Sequence, residues 1–180
     1  MNNITVIGAG TMGNGIAHVF AQSGFKVSLA DVNTAQLEKA IQTITRNFDR
    51  QVSKGTVTEE QKQQALSNIQ TFSDVSAAVK NAGLVIEAAT ENVELKLKIF
   101  KQLDETAPQG CILATNTSSI SVTRIAAVTK RPELVIGMHF MNPVPVMKLV
   151  EVIRGYATSD EVTNKVVGLS KQLGKVPAEA

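Results

Sequence analysis

The sequence predicts a doubly wound α/β fold on three observations. Short apolar, β-branched runs alternate with amphipathic helical stretches along nearly the whole chain. The first run, Ile4 to Ile7, ends abruptly in the glycine-rich turn Gly8-Ala9-Gly10-Thr11-Met12-Gly13. Hydrophobic residues make up 43% of the chain but aromatic ones only 4%, so the core is aliphatic, as suits a buried parallel sheet. At 180 residues the chain is long enough for one domain with a sizeable core, taken as residues 1–180.

The first unit organises the rest. After the turn, Met12, Ile16, Val19 and Phe20 fall on one helical face, and Gly24 stands where that helix stops. A helix N-terminus offers unpaired N–H groups and a partial positive charge, which together bind phosphate. Gly8 permits the tight turn, Gly10 lets a pyrophosphate approach the backbone, and Gly13 lets helix and strand pack closely. A second strand, Lys26 to Ala30, ends at Asp31, where a carboxylate can bind ribose hydroxyls. Strand, turn, helix and acid together make a dinucleotide fingerprint of the Rossmann-like kind. Asp31 repels a 2′-phosphate, and Val32 and Asn33 bring no arginine, so NAD is expected rather than NADP.

Beyond Asp31 the sequence predicts a helical hairpin inserted after the second strand, at about 34–67. Asn33 caps a long helix striped by Leu37, Ile41, Ile44 and Phe48, Ser53-Lys54-Gly55 is a turn, and Thr58 to Gln61 is a capping box. The alternation then resumes with a strand at Ile69 to Phe72, a helix from Asp74 to about Gly83 and a strand at Leu84 to Glu87. Asn92 caps a helix with Leu95, Ile99 and Leu103 on its apolar face, and a strand follows at Cys111 to Ala114. The loop Thr115-Asn116-Thr117-Ser118-Ser119 is dense in hydroxyls and amides. Leu134 to Phe140 is a strand with His139 near its end, and Asn142-Pro143-Val144-Pro145 is a turn. Val146 to Arg154 returns antiparallel, Asp160 to Leu173 is a helix, and Lys175 to Glu179 begins another strand. The expected sheet is mostly parallel, with antiparallel pairing at its C-terminal end. The loops at Gly8, Asp31, Ala88 to Glu91, Thr115 to Ser119 and His139 to Asn142 leave carboxyl ends of strands and should face one crevice.

The formal charge of +2 argues for neither a nucleic-acid nor a membrane partner. Cys111 is alone, which excludes an internal disulfide and suits a reducing compartment. No leader or long apolar span precedes the first strand, so a cytoplasmic protein is expected, and no metal site is.

Of two histidines, His18 falls opposite the apolar stripe of its helix and reads as a solvated residue without a role. His139 at the ligand edge reads by position alone as a core histidine, until Glu151 is considered. Met147, Leu149, Glu151 and Ile153 share one face of the returning strand, and a carboxylate there wants a partner. In a hairpin centred on Pro145, His139 and Glu151 lie opposite each other. Beside bound NAD, a histidine base oriented by a carboxylate suits oxidation of an alcohol. Ser118 could hold the same substrate oxygen, or be a plain turn hydroxyl.

GAGTMG, IEAATEN, TNTSSIS and HFMNPVPVMKLVE resemble the L-3-hydroxyacyl-CoA dehydrogenases, most of all bacterial 3-hydroxybutyryl-CoA dehydrogenases, over essentially the whole chain. The resemblance implies interconversion of an L-3-hydroxyacyl-CoA and its 3-ketoacyl-CoA, such as acetoacetyl-CoA, in fatty-acid and butyrate metabolism. It implies His139 as base, Glu151 as its partner and Ser118 at the substrate oxygen. It places Gly8, Ala9, Gly10, Thr11, Met12, Gly13, Asp31, Glu91, Lys96, Ser118 and Asn142 at NAD, and Lys54 near the CoA phosphates. Read without the family, Lys54 and Lys96 are equally well surface lysines. Asn47 departs from a family serine. The family continues into a helical domain that closes over substrate and mediates dimerisation. This sequence stops before it, so a poorly active cofactor domain is expected here, and a homodimer or higher oligomer for the longer enzyme. Two other readings stay open: a non-catalytic NAD-binding module and a related sugar-acid dehydrogenase.

Overall fold

A computed structural model describes all of residues 1–180. Its one sheet has eight strands in the spatial order β3-β2-β1-β4-β5-β6-β7-β8. The strands are β1 (Asn3–Ile7), β2 (Lys26–Ala30), β3 (Ile69–Phe72), β4 (Leu84–Glu87), β5 (Ile112–Thr115), β6 (Val135–Phe140), β7 (Leu149–Arg154) and β8 (Val176–Glu179). The first six pair in parallel. β7 runs antiparallel to β6, and β8 runs parallel to β7. Order reverses between β1 and β4, and ligands of doubly wound sheets bind at such a switch point.

Seven α-helices cover the two faces: α1 (Thr11–Gln22), α2 (Thr34–Ser53), α3 (Glu59–Ser67), α4 (Val75–Ala78), α5 (Val93–Thr106), α6 (Val122–Ala126) and α7 (Asp160–Gln172). One core joins α1, the α2–α3 hairpin and α7 to Ile4, Val6, Ile86, Met138 and Val152. The other joins α5 and α6 to Val85, Leu113 and Val135. The alternation of these strand residues between two cores is the period-two pattern of a sheet buried on both sides.

Three expectations about the extent or face of an element need correction. The helix expected from Asp74 to Gly83 closes after one turn, Val75–Ala78, capped by Asp74. The apolar stripe of α5 keeps Leu103, buried, and Ile99, packed against the core, but at its start Leu95 is exposed, and Lys96 and Phe100 are buried instead. One residue is about 100° of helix, enough to carry Leu95 off the contact face. The returning strand begins at Leu149 rather than Val146, because Pro143 O accepts turn hydrogen bonds from the N–H groups of both Val146 and Met147.

The largest correction concerns His18. It is fully buried, with its ring stacked on Phe48 at a centroid distance of 3.9 Å and its Nε2 3.1 Å from Gln51 Oε1. The apolar stripe of α1 does face the sheet, but the hairpin covers the opposite side, so α1 is enclosed from both. Burial pushes the His18 pKa down from 6.5 to about 4.

Candidate active site

The first turn of α1 is built for an anion. Gly8 has φ of +100°, in the left-handed region that side chains avoid. A Cβ on Gly13 would lie 1.6 Å from Gly8 O, so no other residue fits there. In front of Gly10 the space is open, with only Gln36 Nε2 at 3.7 Å from a would-be Cβ. Asn33, Thr58, Asp74, Asn92, Ser121 and Ser159 each cap their helix through a side chain, whereas Gly10 offers α1 none. The leading N–H groups of α1 thus have no side-chain acceptor, which suits the diphosphate of a dinucleotide. Asp31 stands beside them, accepting from Ala9 N through Oδ2 and from Asn33 N through Oδ1, both at 2.9 Å.

Across the switch point the β4–α5 loop is tied by a buried carboxylate that sequence reasoning passed over. Glu87 is 0% exposed and Lys96 1%, and Lys96 Nζ donates to Glu87 Oε1 at 2.6 Å. Thr115 Oγ1 donates to the same oxygen at 2.9 Å, and Ala89 N donates to Oε2 at 2.9 Å. Three segments meet on one side chain, so Lys96 is not a surface lysine. The available signal was a carboxylate closing the apolar run LVIE, with a lysine on the next helix.

The loop after β5 joins this arrangement through Thr117, whose Oγ1 donates to Glu91 Oε2 at 2.8 Å. Asn116 Oδ1 accepts from Phe140 N at 2.8 Å, which sets the loop beside the strand end carrying His139. Ser118 lies exposed in that loop. His139 and Glu151 are direct partners in the β6–β7 register, as the symmetry about Pro145 requires. His139 Nδ1 is 3.8 Å from Glu151 Oε1, in contact but beyond hydrogen-bond distance. The Glu151 side chain is 38% exposed, so the face it occupies is more open than expected and burial alone does not force the pairing. Val146, Met147 and Leu149, which precede Glu151 in the chain, and Val176, the β8 partner of Leu149, are exposed.

The turn after β6 is held from both sides. A Cβ on Gly15 would come within 2.8 Å of Val144 Cβ, so glycine lets the turn press against α1. From the other side the buried Lys175 ammonium donates to Val144 O and Met147 O. Its pKa is lowered, first by burial and then by Lys148. The Asn142–Pro143 peptide is cis, and Asn142 itself is exposed.

The expected single crevice is divided by the first turns of α1. A depression of about 190 Å³ on one side is lined by Met12, Ala88 to Glu91, Lys96 and Asn116. A second, also about 190 Å³, runs between Gly10, Asn14, Gln36, Lys39, Thr43, Asn47 and the turn Asn142 to Pro145. Lys54 is exposed at the far end of α2, about 30 Å of helix from Thr34. No internal contact brings it to His139 or Ser118.

Comparison with known proteins gives one consistent picture. The family model described as 3-hydroxyacyl-CoA dehydrogenase, NAD binding domain, matches residues 3–180. A probable 3-hydroxybutyryl-CoA dehydrogenase of Bacillus subtilis is 46% identical over 179 residues, covering 99% of this chain and 62% of the relative. A 3-hydroxybutyryl-CoA dehydrogenase of Bradyrhizobium diazoefficiens is 50% identical over 97% of this chain and 59% of its own length. The crystal structure of (S)-3-hydroxybutyryl-CoA dehydrogenase from Ralstonia eutropha superposes with a TM-score of 0.97 at 47% identity, over 99% of this chain and 63% of that one. The chain therefore spans about three fifths of the length of these relatives.

Proposed function

The chain belongs to the 3-hydroxyacyl-CoA dehydrogenase family, as its NAD-binding domain, and from that premise we propose that it serves the NAD-dependent interconversion of an L-3-hydroxyacyl-CoA, 3-hydroxybutyryl-CoA first, and its 3-ketoacyl-CoA. The observation that carries this reading is the His139–Glu151 register pair beside an uncapped glycine turn. A module that only bound a dinucleotide would need no such pair.

The residues divide the work as follows. The N–H groups opening α1 receive the diphosphate, and Asp31 receives adenosine ribose hydroxyls and repels a 2′-phosphate. Glu91 and Asn142 flank the remainder of the cofactor, each from its own depression, and Lys96, engaged by Glu87, backs the one at Glu91. NAD, when bound, supplies the hydride acceptor. His139 turns Nδ1 toward Glu151, which leaves Nε2 to take the proton of the substrate hydroxyl. The Glu151 carboxylate stabilises the imidazolium that forms and fixes the ring. Ser118 donates to the substrate oxygen, and Lys54 meets the CoA phosphates. The relatives are longer than residues 1–180, which span about three fifths of them, and on this reading residues 1–180 by themselves bind NAD but turn substrate over slowly. A closed, water-excluded site is where such electrostatic catalysis is strong.

The test is oxidation of NADH with acetoacetyl-CoA, followed spectrophotometrically, for this chain and for a form extended to the relatives' length. Turnover by the extended form that far exceeds that of the chain is expected. Absence of turnover by both, with NADH bound, would overturn the proposed reaction.

A further inference from the structure

Lys175 is a buried cation without a counter-ion. It is 8% exposed, and both of its hydrogen bonds go to main-chain carbonyls, Val144 O and Met147 O. The other well-enclosed cations each hold a carboxylate: Lys96 meets Glu87 and Arg131 meets Asp104. An ammonium taken out of water is costly, and an apolar side chain would fill the same space without that cost. A cation kept there in spite of the cost points to what it holds.

The end of α7 aims Lys175 at its target. Gly174 takes φ of +77°, and Gly174 N and Lys175 N close the helix by donating to Lys171 O and Ser170 O. The chain then turns into β8, where Val176 N donates to Lys148 O at 2.8 Å. Two successive residues therefore take three carbonyls of the segment that joins β6 to β7. The turn's own backbone bonds use only Pro143 O, so Val144 O and Met147 O have no other donor. Beyond this turn β7 begins at Leu149, and the last partners of the β6–β7 ladder are Phe140 with Val150 and His139 with Glu151. Ladder ends fray first. The His139–Glu151 side chains, 3.8 Å apart, make no hydrogen bond that would hold them there. Resting on the reading of His139 and Glu151 given above, we propose that Lys175 is a positioning residue for the reaction. Its ammonium gathers two carbonyls of the β6–β7 turn and so keeps Glu151 opposite His139.

Lys175→Met keeps much of the side chain's length and removes its donors, whereas Lys175→Arg keeps the cation. Both are tested in the form extended to the relatives' length, with NADH and acetoacetyl-CoA, well below the melting temperature. Lys175→Met is expected to lower kcat about 10–100-fold, as a slightly misplaced catalytic group does. The KM for NADH should change far less, because neither the Gly8 turn nor Asp31 is bonded to Lys175. Lys175→Arg should recover most of the loss. Hydrogen exchange gives a readout independent of activity: residues 139–152 should exchange faster in Lys175→Met while β1 and β4 keep their protection. An unchanged kcat in Lys175→Met would overturn the proposal. So would equal losses in both variants, which would make packing rather than the cation the cause, and so would faster exchange throughout the sheet. Absence of turnover by the unsubstituted extended form would overturn the reading of His139 and Glu151 instead, and the exchange comparison would still decide whether Lys175 holds the turn.

Discussion

Two carboxylate–nitrogen pairs lie at the carboxyl edge of one sheet and are built to opposite ends. Glu87 and Lys96 are 2.6 Å apart and almost fully enclosed, and the remaining lone pairs of the carboxylate are taken by Thr115 and the β4–α5 loop. His139 and Glu151 are 3.8 Å apart, partly open to solvent, and have no other side-chain partner. A closed knot of this kind holds loops in register, and its charges are not free for chemistry. A loose pair with one imidazole nitrogen unengaged can move a proton. The difference is one of saturation: the same two chemical types serve structure where every bond is made and are available for catalysis where one is left open.

The comparison breaks most sharply at Glu87. Glu87→Ala strands the Lys96 ammonium in the interior, and chemical denaturation should show a loss of about 3–5 kcal/mol. A change under 1 kcal/mol would mean that the knot is not what holds the loops. At the open pair the effect should appear in rate instead. In an extended, active enzyme His139→Ala should cost ~10²–10⁴-fold in turnover while His18→Gln leaves turnover near normal. Comparable losses for both histidines would remove the distinction.

His18 itself sharpens the contrast between buried and open sites through pH. Its folded pKa of about 4 lies below the unfolded 6.5. The unfolded chain therefore takes up the proton first, and the stability due to the neutral ring is complete above pH 6.5 and lost as pH falls toward 4. The loss approaches ~3 kcal/mol, and His18→Gln should flatten denaturation midpoints over that window. A steep profile retained in the variant would assign the pH dependence to other groups.

Smaller effects complete the series. Asp31→Ala should weaken NADH by about 1.5–3 kcal/mol, the worth of hydrogen bonds to a charged group, and narrow the preference over NADPH in paired titrations. NADPH bound as tightly as NADH by the wild-type chain would contradict the reading of Asp31. Glu151→Gln should change stability by no more than ~1 kcal/mol, as expected of a solvent-exposed pair, while lowering turnover and shifting its pH profile in the extended enzyme. A large stability loss with an unaltered profile would make Glu151 a structural residue.

The strands, the glycine turn, the hairpin and the His139–Glu151 register were legible in the sequence because each rests on local rules. Period-two and helical patterns, capping residues and the symmetry of a short hairpin about Pro145 depend on neighbours along the chain. What tertiary structure alone decided are contacts between distant segments. The enclosure of His18 depended on where the hairpin folds back, which the pattern of α1 cannot reveal. The burial of Lys96 and the knot at Glu87 depended on β4, α5 and β5 converging at one point. The fixed amide of Asn116 depended on Phe140 offering its N–H across two parallel strands. Local periodicity specifies which face of an element is apolar, but the partner that covers each face, and the polar atom left unpaired once it has, are settled only when all the elements are packed.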